Sequence, residues 1–233
     1  MSGGAARDVV LARVRAALAP APGPEPGPGP GPGPGAGPGP LAGVVIPRAY
    51  RQAGRASDPA EVVETFCARV ADYCARVHRI GAEDLEAFVA GMLANRRVVV
   101  PAAPPCAVRG FAAVRDDPPL TPRELDGADA VLTACTLAVA QTGTIVLDGS
   151  PPCGRRAITL LPDHHVCVVR ADRIVADVPD AIAALQRTEA TRRPITLVSG
   201  PSATSDIELE RVEGVHGPRL LDVVVVSTGP PYR

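Results

Sequence analysis

Three turns in this chain, rich in glycine or in hydroxyl groups, carry the side chains best suited to chemistry. In ITLVSGPSATSDIELE (195–210), a β-branched run ends in Ser199, Gly200 and Pro201, and a polar turn then leads into a predicted helix over 202–210. Ser202, Thr204 and Ser205 offer hydroxyls, and the first N–H groups of that helix would face an anion such as a carboxylate or phosphate. Ligands of open α/β sheets bind outside the carboxyl ends of strands, which is where this turn would fall. Capping of the helix by Ser202 or Ser205 explains the same residues about as well. Asp206 and Glu208 are weak candidates for a catalytic acid or base, because the helix dipole favours acids in a first turn whatever their use.

The second turn is Gln141-Thr142-Gly143-Thr144, between a helix-like stretch over 136–140 and a strand beginning at Thr144. Gly143 there suits either a helix C-cap or a close backbone approach to a ligand. The third is GVHGPR (214–219), in which glycines, Gly217 among them, flank His216 and leave its imidazole accessible. His216 is a candidate acid, base or ligand, or a residue that merely holds the loop. Arg219 is suited to pairing with a substrate carboxylate, or with a nearby aspartate. His164 and His165 are adjacent, so on a strand they point to opposite faces and do not share one metal ion. No P-loop, G-x-G-x-x-G after a strand, HExxH or G-x-S-x-G occurs, and neither a metal nor a cofactor is expected.

The elements that must hold these turns read as alternating helices and strands. Residues 7–18 have helical apolar spacing, and over 20–40 proline and glycine fill 18 of 21 positions, mostly in two-residue alternation that reads as an extended linker. The layout expected is an amphipathic helix over 1–19, a linker over 20–40 and one domain over 41–233. Asp58, Pro59 and Glu61 open a long predicted helix over 58–80, with Val62, Phe66, Val70, Tyr73 and Val77 as its apolar stripe. A second helix is predicted from residue 82 and another over 179–187, the latter with Asp177 as its cap. Strands are predicted over 97–101, 130–133, 144–147, 165–169, 195–198 and 221–226, several as continuous apolar runs of the kind buried on both faces. Such alternation implies a three-layer α/β/α sandwich around a mainly parallel sheet.

Composition narrows the function classes. The chain is 46% hydrophobic and 21% charged with a formal net charge of −1, which argues against disorder throughout and against a nucleic-acid partner. No apolar run is long enough for a membrane span, and the N-terminus lacks a signal-peptide pattern, so a cytoplasmic location is expected. Six cysteines without a C-x-x-C pair are expected to be reduced and mostly buried.

The stretches AVAQTGTIVL (138–147), LPDHHVCVV (161–169), VSGPSATSDIE (198–208) and GVHGPR (214–219) together resemble the LUD-domain family of lactate utilisation protein C. The resemblance implies a NagB/RpiA/CoA-transferase-like fold. It also implies a part in bacterial growth on L-lactate, as the cluster-free subunit beside two iron–sulfur partners that together oxidise lactate to pyruvate. Gln141 stands where the family commonly has an acid and Ala203 where it has a base, which weakens a charge-based site, and no nucleophile carries over. The alternative reading is a stand-alone enzyme or binder of a small carboxylate, phosphate or CoA-type ligand. A third is an interaction module in which the N-terminal helix recruits a partner.

Overall fold

The computed structural model describes residues 53–54, 57–205, 211–213 and 216–227. The helix predicted over 7–18 and the Pro/Gly linker over 20–40 lie outside them. The described elements run α1 (Pro59–Asp72), β1 (Arg76–Ile80), α2 (Leu85–Met92), β2 (Arg97–Val100), β3 (Ala112–Arg115), α3 (Pro122–Asp126), β4 (Ala130–Ala134), β5 (Leu137–Val139) and β6 (Thr144–Leu147). They continue with β7 (His164–Arg170), β8 (Ile174–Val175), α4 (Val178–Gln186), β9 (Thr196–Val198), β10 (Ala203–Ser205), β11 (Arg211–Glu213) and β12 (Leu220–Val226).

Six strands form one sheet in the order β1-β12-β7-β4-β2-β3, and every pairing in it is parallel. The central strands β7 and β12 are buried along nearly their whole length, as strands covered on both faces must be. On one face Val166, Val168 and Val224 pack under Leu85 and Val89 of α2. On the other, Cys167, Val169 and Val223 pack under Phe66 and Val70 of α1 together with Ile145 and Leu147 of β6. Strand β6 belongs to a second, mixed sheet ordered β8-β5-β6-β9, whose far side is covered by Ala181 and Leu185 of α4. The fold is thus α/β with a parallel sheet covered on both faces, and the second sheet with α4 adds to the three layers expected. No helix among the described residues is long and apolar enough to cross a membrane.

Three expectations need correction. The helix predicted over 58–80 begins as expected, with Asp58 accepting from the Ala60 N–H at 2.9 Å, but it ends at Asp72. Tyr73 caps it, Cys74 turns into the left-handed region at φ 65°, and RVHRI becomes β1, which completes the edge of the sheet beside β12. Val77 fitted the helical spacing by coincidence, and the unpaired edge of β12 decided the outcome. The helix-like stretch over 136–140 is instead β5, where Ala138 pairs with Ile145 on one side and Ile174 on the other; a run this short suits either element until its neighbours are known. The helix predicted over 202–210 is replaced over 203–205 by β10, which pairs antiparallel with β11. Serine and threonine compete with helical backbone bonds, and the partner strand settles the matter. Residues 206–210 lie outside the described residues, Asp206 and Glu208 with them.

Candidate functional site

Strands β6 and β9 pair antiparallel and so bring the first two turns together. Thr142 Oγ1 lies 2.7 Å from Thr144 Oγ1, which lies 2.7 Å from Ser199 Oγ, making a chain of three hydroxyls. The two glycines of these turns serve packing. Gly143 has φ 59°, and a Cβ there would sit 2.9 Å from the Arg69 carbonyl carbon; Gly200 has φ 97°, and its Cβ would sit 2.7 Å from Tyr73 Cβ. Both turns therefore press on the last turn of α1, and Gly143 follows strand β5 rather than capping a helix. The third turn is tied to the first: Ser202 Oγ accepts from the His216 N–H at 3.1 Å, and the Ser202 N–H donates to the Pro218 carbonyl at 2.8 Å. Arg219 pairs with Asp163, the second of the two roles its position allowed.

Ser199, Gly200, Ser202, His216 and Gly217 line one cavity of about 250 Å³ near the amino ends of β7 and β12. Thr142, Gly143 and Thr144 stand behind it and reach it only through Ser199. Thr204 and Ser205 lie in β10, and no helix N-terminus is formed at Ser202 to receive an anion. Arg156, which the sequence did not single out, lines the same cavity, as does His165, which was weighed there only against a shared metal ion. His165 is buried, with Nε2 2.8 Å from Thr133 Oγ1. The signal for it was the His-His pair itself, since alternation on β7 must send one ring towards the turns.

The other ring, His164, faces the opposite side and enters a buried charge cluster. His164 Nε2 is 2.6 Å from Asp222 Oδ2, His78 Nε2 is 2.6 Å from Asp222 Oδ1, and Arg76 Nη2 is 2.5 Å from Asp222 Oδ2. Arg96 Nη1 lies 2.8 Å from His164 Nδ1. Arginine only donates, so His164 Nδ1 must accept and Nε2–H donates to the carboxylate. Burial alone would push the Asp222 carboxyl up, but hydrogen bonds from His164, His78 and Arg76 outweigh it and bring it from the ordinary 3.8 down to about 2.

A second cavity of about 480 Å³ opens at the carboxyl end of the main sheet. The chain runs from β2 outward to β3 and then returns past β2 to β4, so the direction of travel reverses between β2 and β4. Pro104 and Pro105 after β2, Cys135 and Thr136 after β4, and Arg170 and Arg173 around the end of β7 line this cavity, with Asp148 and Arg193. Arg193 Nη2 donates to Asp148 Oδ2 at 2.6 Å, its Nε donates to the Asp148 carbonyl at 3.1 Å, and the Ser150 N–H donates to Asp148 Oδ1 at 3.0 Å. Burial opposes charge on Asp148, yet hydrogen bonds from Ser150, Arg193 and Thr136 hold its carboxyl well below the usual carboxylate range. The Cys135 thiol is pushed well up by its contact with Cys167 and by burial, so it is neutral. None of these residues was singled out from sequence, because Asp148 and Arg193 are 45 positions apart and belong to no compact motif.

The family model of the LUD domain matches residues 64–226. The protein named Lactate utilization protein C in Deinococcus radiodurans is 50% identical over 171 residues, covering 72% of this chain and 81% of the relative. Lactate utilization protein C of Shouchella clausii is 35% identical over 103 residues, which is 43% of this chain and 44% of that protein, so the match spans less than half of this second relative. A crystal structure of a DUF162 family protein from Deinococcus radiodurans superposes with a TM-score of 0.64 at 42% identity, covering 73% of this chain and 99% of that one. The four stretches that carry the resemblance fall within or across the matched region, and this chain belongs to the LUD domain family.

Proposed function

We propose that this chain serves bacterial L-lactate utilisation, as the cluster-free subunit that works beside iron–sulfur partners when L-lactate is oxidised to pyruvate in the cytoplasm. The observation that carries this reading is the 50% identity over 171 residues to the Deinococcus radiodurans protein named Lactate utilization protein C. Oxidation of a 2-hydroxy acid to a 2-oxo acid releases two electrons, and the cysteines of this sequence lack the close spacing that iron–sulfur ligation uses. Electron transfer then falls to the partners. The parallel sheet is in keeping with a NagB/RpiA/CoA-transferase-like scaffold. Co-expression of the full chain with the iron–sulfur proteins tests the reading: stable co-purification is expected, and failure with every such partner overturns it.

A second reading is favoured by the 250 Å³ cavity, where the hydroxyls of Ser199 and Ser202 and the rings of His165 and His216 converge with Arg156. It is a site for a small carboxylate, phosphate or CoA-type ligand handled by this chain alone. A ligand that binds only the folded state raises its melting temperature. Ser202→Ala and His216→Ala are expected to abolish that rise, and a rise unchanged in both variants discards this reading.

A further inference from the structure

We propose that the cleft at the carboxyl end of the main sheet is a binding site for a short-chain carboxylate, with Arg173 as its clamp. The proposal rests on the lactate reading only for the choice of ligand to try.

Topology supplies the first argument. In open α/β sheets the loops after two neighbouring strands part where the strand order reverses, leaving a crevice that no crossover helix fills. Here that reversal lies between β2 and β4, and the cavity is lined by the segments that follow those two strands. Its volume of about 480 Å³ falls within the usual range for small-molecule sites.

Charge supplies the second. Arg170, Arg173 and Arg193 bring three guanidinium groups to the cleft. Asp148 is committed to Arg193, and Asp172 pairs with Arg170 at 2.7 Å. Arg173 takes part in neither of these ion pairs. A single further guanidinium suits a monoanion such as a carboxylate better than a phosphate dianion. The planar fork of arginine donates two parallel hydrogen bonds to a carboxylate, and Arg173, which is exposed and lines the cleft, is placed to do so. Pro104, Pro105 and Val168 give the cleft apolar walls against which a short aliphatic chain can rest.

Order in the floor supplies the third. Asp148 is buried at 1% exposure and accepts from two groups on Arg193 and Ser150 within 3.0 Å, so Arg193 is fixed before any ligand arrives. A wall of the cleft that is already ordered costs little further ordering on binding.

Calorimetric titration of the full chain with L-lactate, pyruvate and inorganic phosphate tests the proposal. At least one carboxylate is expected to bind more tightly than phosphate. Arg173→Gln should weaken it by about tenfold or more, as loss of a charged hydrogen-bonding partner does, with Arg173→Lys in between. Arg123→Gln, in α3 and outside the lining of both cavities, should leave the affinity unchanged. The proposal is overturned if neither carboxylate binds at millimolar concentration, if phosphate binds more tightly than both, or if Arg173→Gln binds like the parent chain. Loss of carboxylate binding in His216→Ala with Arg173→Gln unaffected overturns it too, and places the ligand in the amino-end cavity. Arg173-dependent binding without co-purification of iron–sulfur partners upholds this site while sinking the subunit reading.

Discussion

Asp222 gathers two imidazoles and a guanidinium around one buried carboxylate. Its folded carboxyl titrates near 2 where an ordinary one titrates near 3.8, so its contribution to stability is complete above the ordinary value. That contribution, about 2 kcal/mol, is lost as the pH falls from about 4 to about 2. Asp222→Asn removes the charge that His164, His78 and Arg76 all share, and should lower unfolding stability at pH 7 by about 2–4 kcal/mol in a urea titration. The variant's remaining stability should also depend less on pH below 4. At this scale the sequence was informative about which side chains are polar and close in order, as with Ser199, Ser202 and His216. It was silent on Asp222, Asp148 and Arg193, because their partners come from other strands and no spacing rule links them.

Helix α1 is the element on which the turns depend. Its start was legible from Asp58 and Pro59, since capping acts within a few residues. Its end was not, because Cys74 has no side-chain signal for the left-handed turn and β1 exists only to pair with β12. The two glycines that lean on this helix make its role measurable. Gly143→Ala and Gly200→Ala each combine a left-handed backbone with a Cβ inside 3.0 Å of α1 or its cap. Each should cost about 2 kcal/mol or more, read as a lowered melting temperature. A control at Gly149, which also has positive φ but nothing within 4 Å of an added Cβ, should cost less, the backbone penalty alone.

For the molecule as a whole, the parallel sheet followed from continuous apolar runs, and its division into two sheets did not. The strands at 144–147 and 196–198 are as apolar as those of the main sheet, and only their antiparallel partners assign them elsewhere. Strands β7 and β12 sit between paired neighbours under two hydrophobic layers, so their amides should be the last to exchange with deuterated water, after those of the edge strands β1 and β3. Uniform exchange across the six strands would count against this order of stability. The two histidines that open β7 have one more consequence. A strand made of Val-Cys-Val-Val and buried on both faces has no polar rhythm to prevent it from slipping by one residue, which would turn every side chain to the other face. Slippage in one direction would set Val166 in place of His165 and leave Thr133 without its partner. Slippage in the other would bury Asp163 beside Asp222, carboxylate against carboxylate. Because either error costs several kcal/mol, the adjacent imidazoles pin the register at the centre of the sheet.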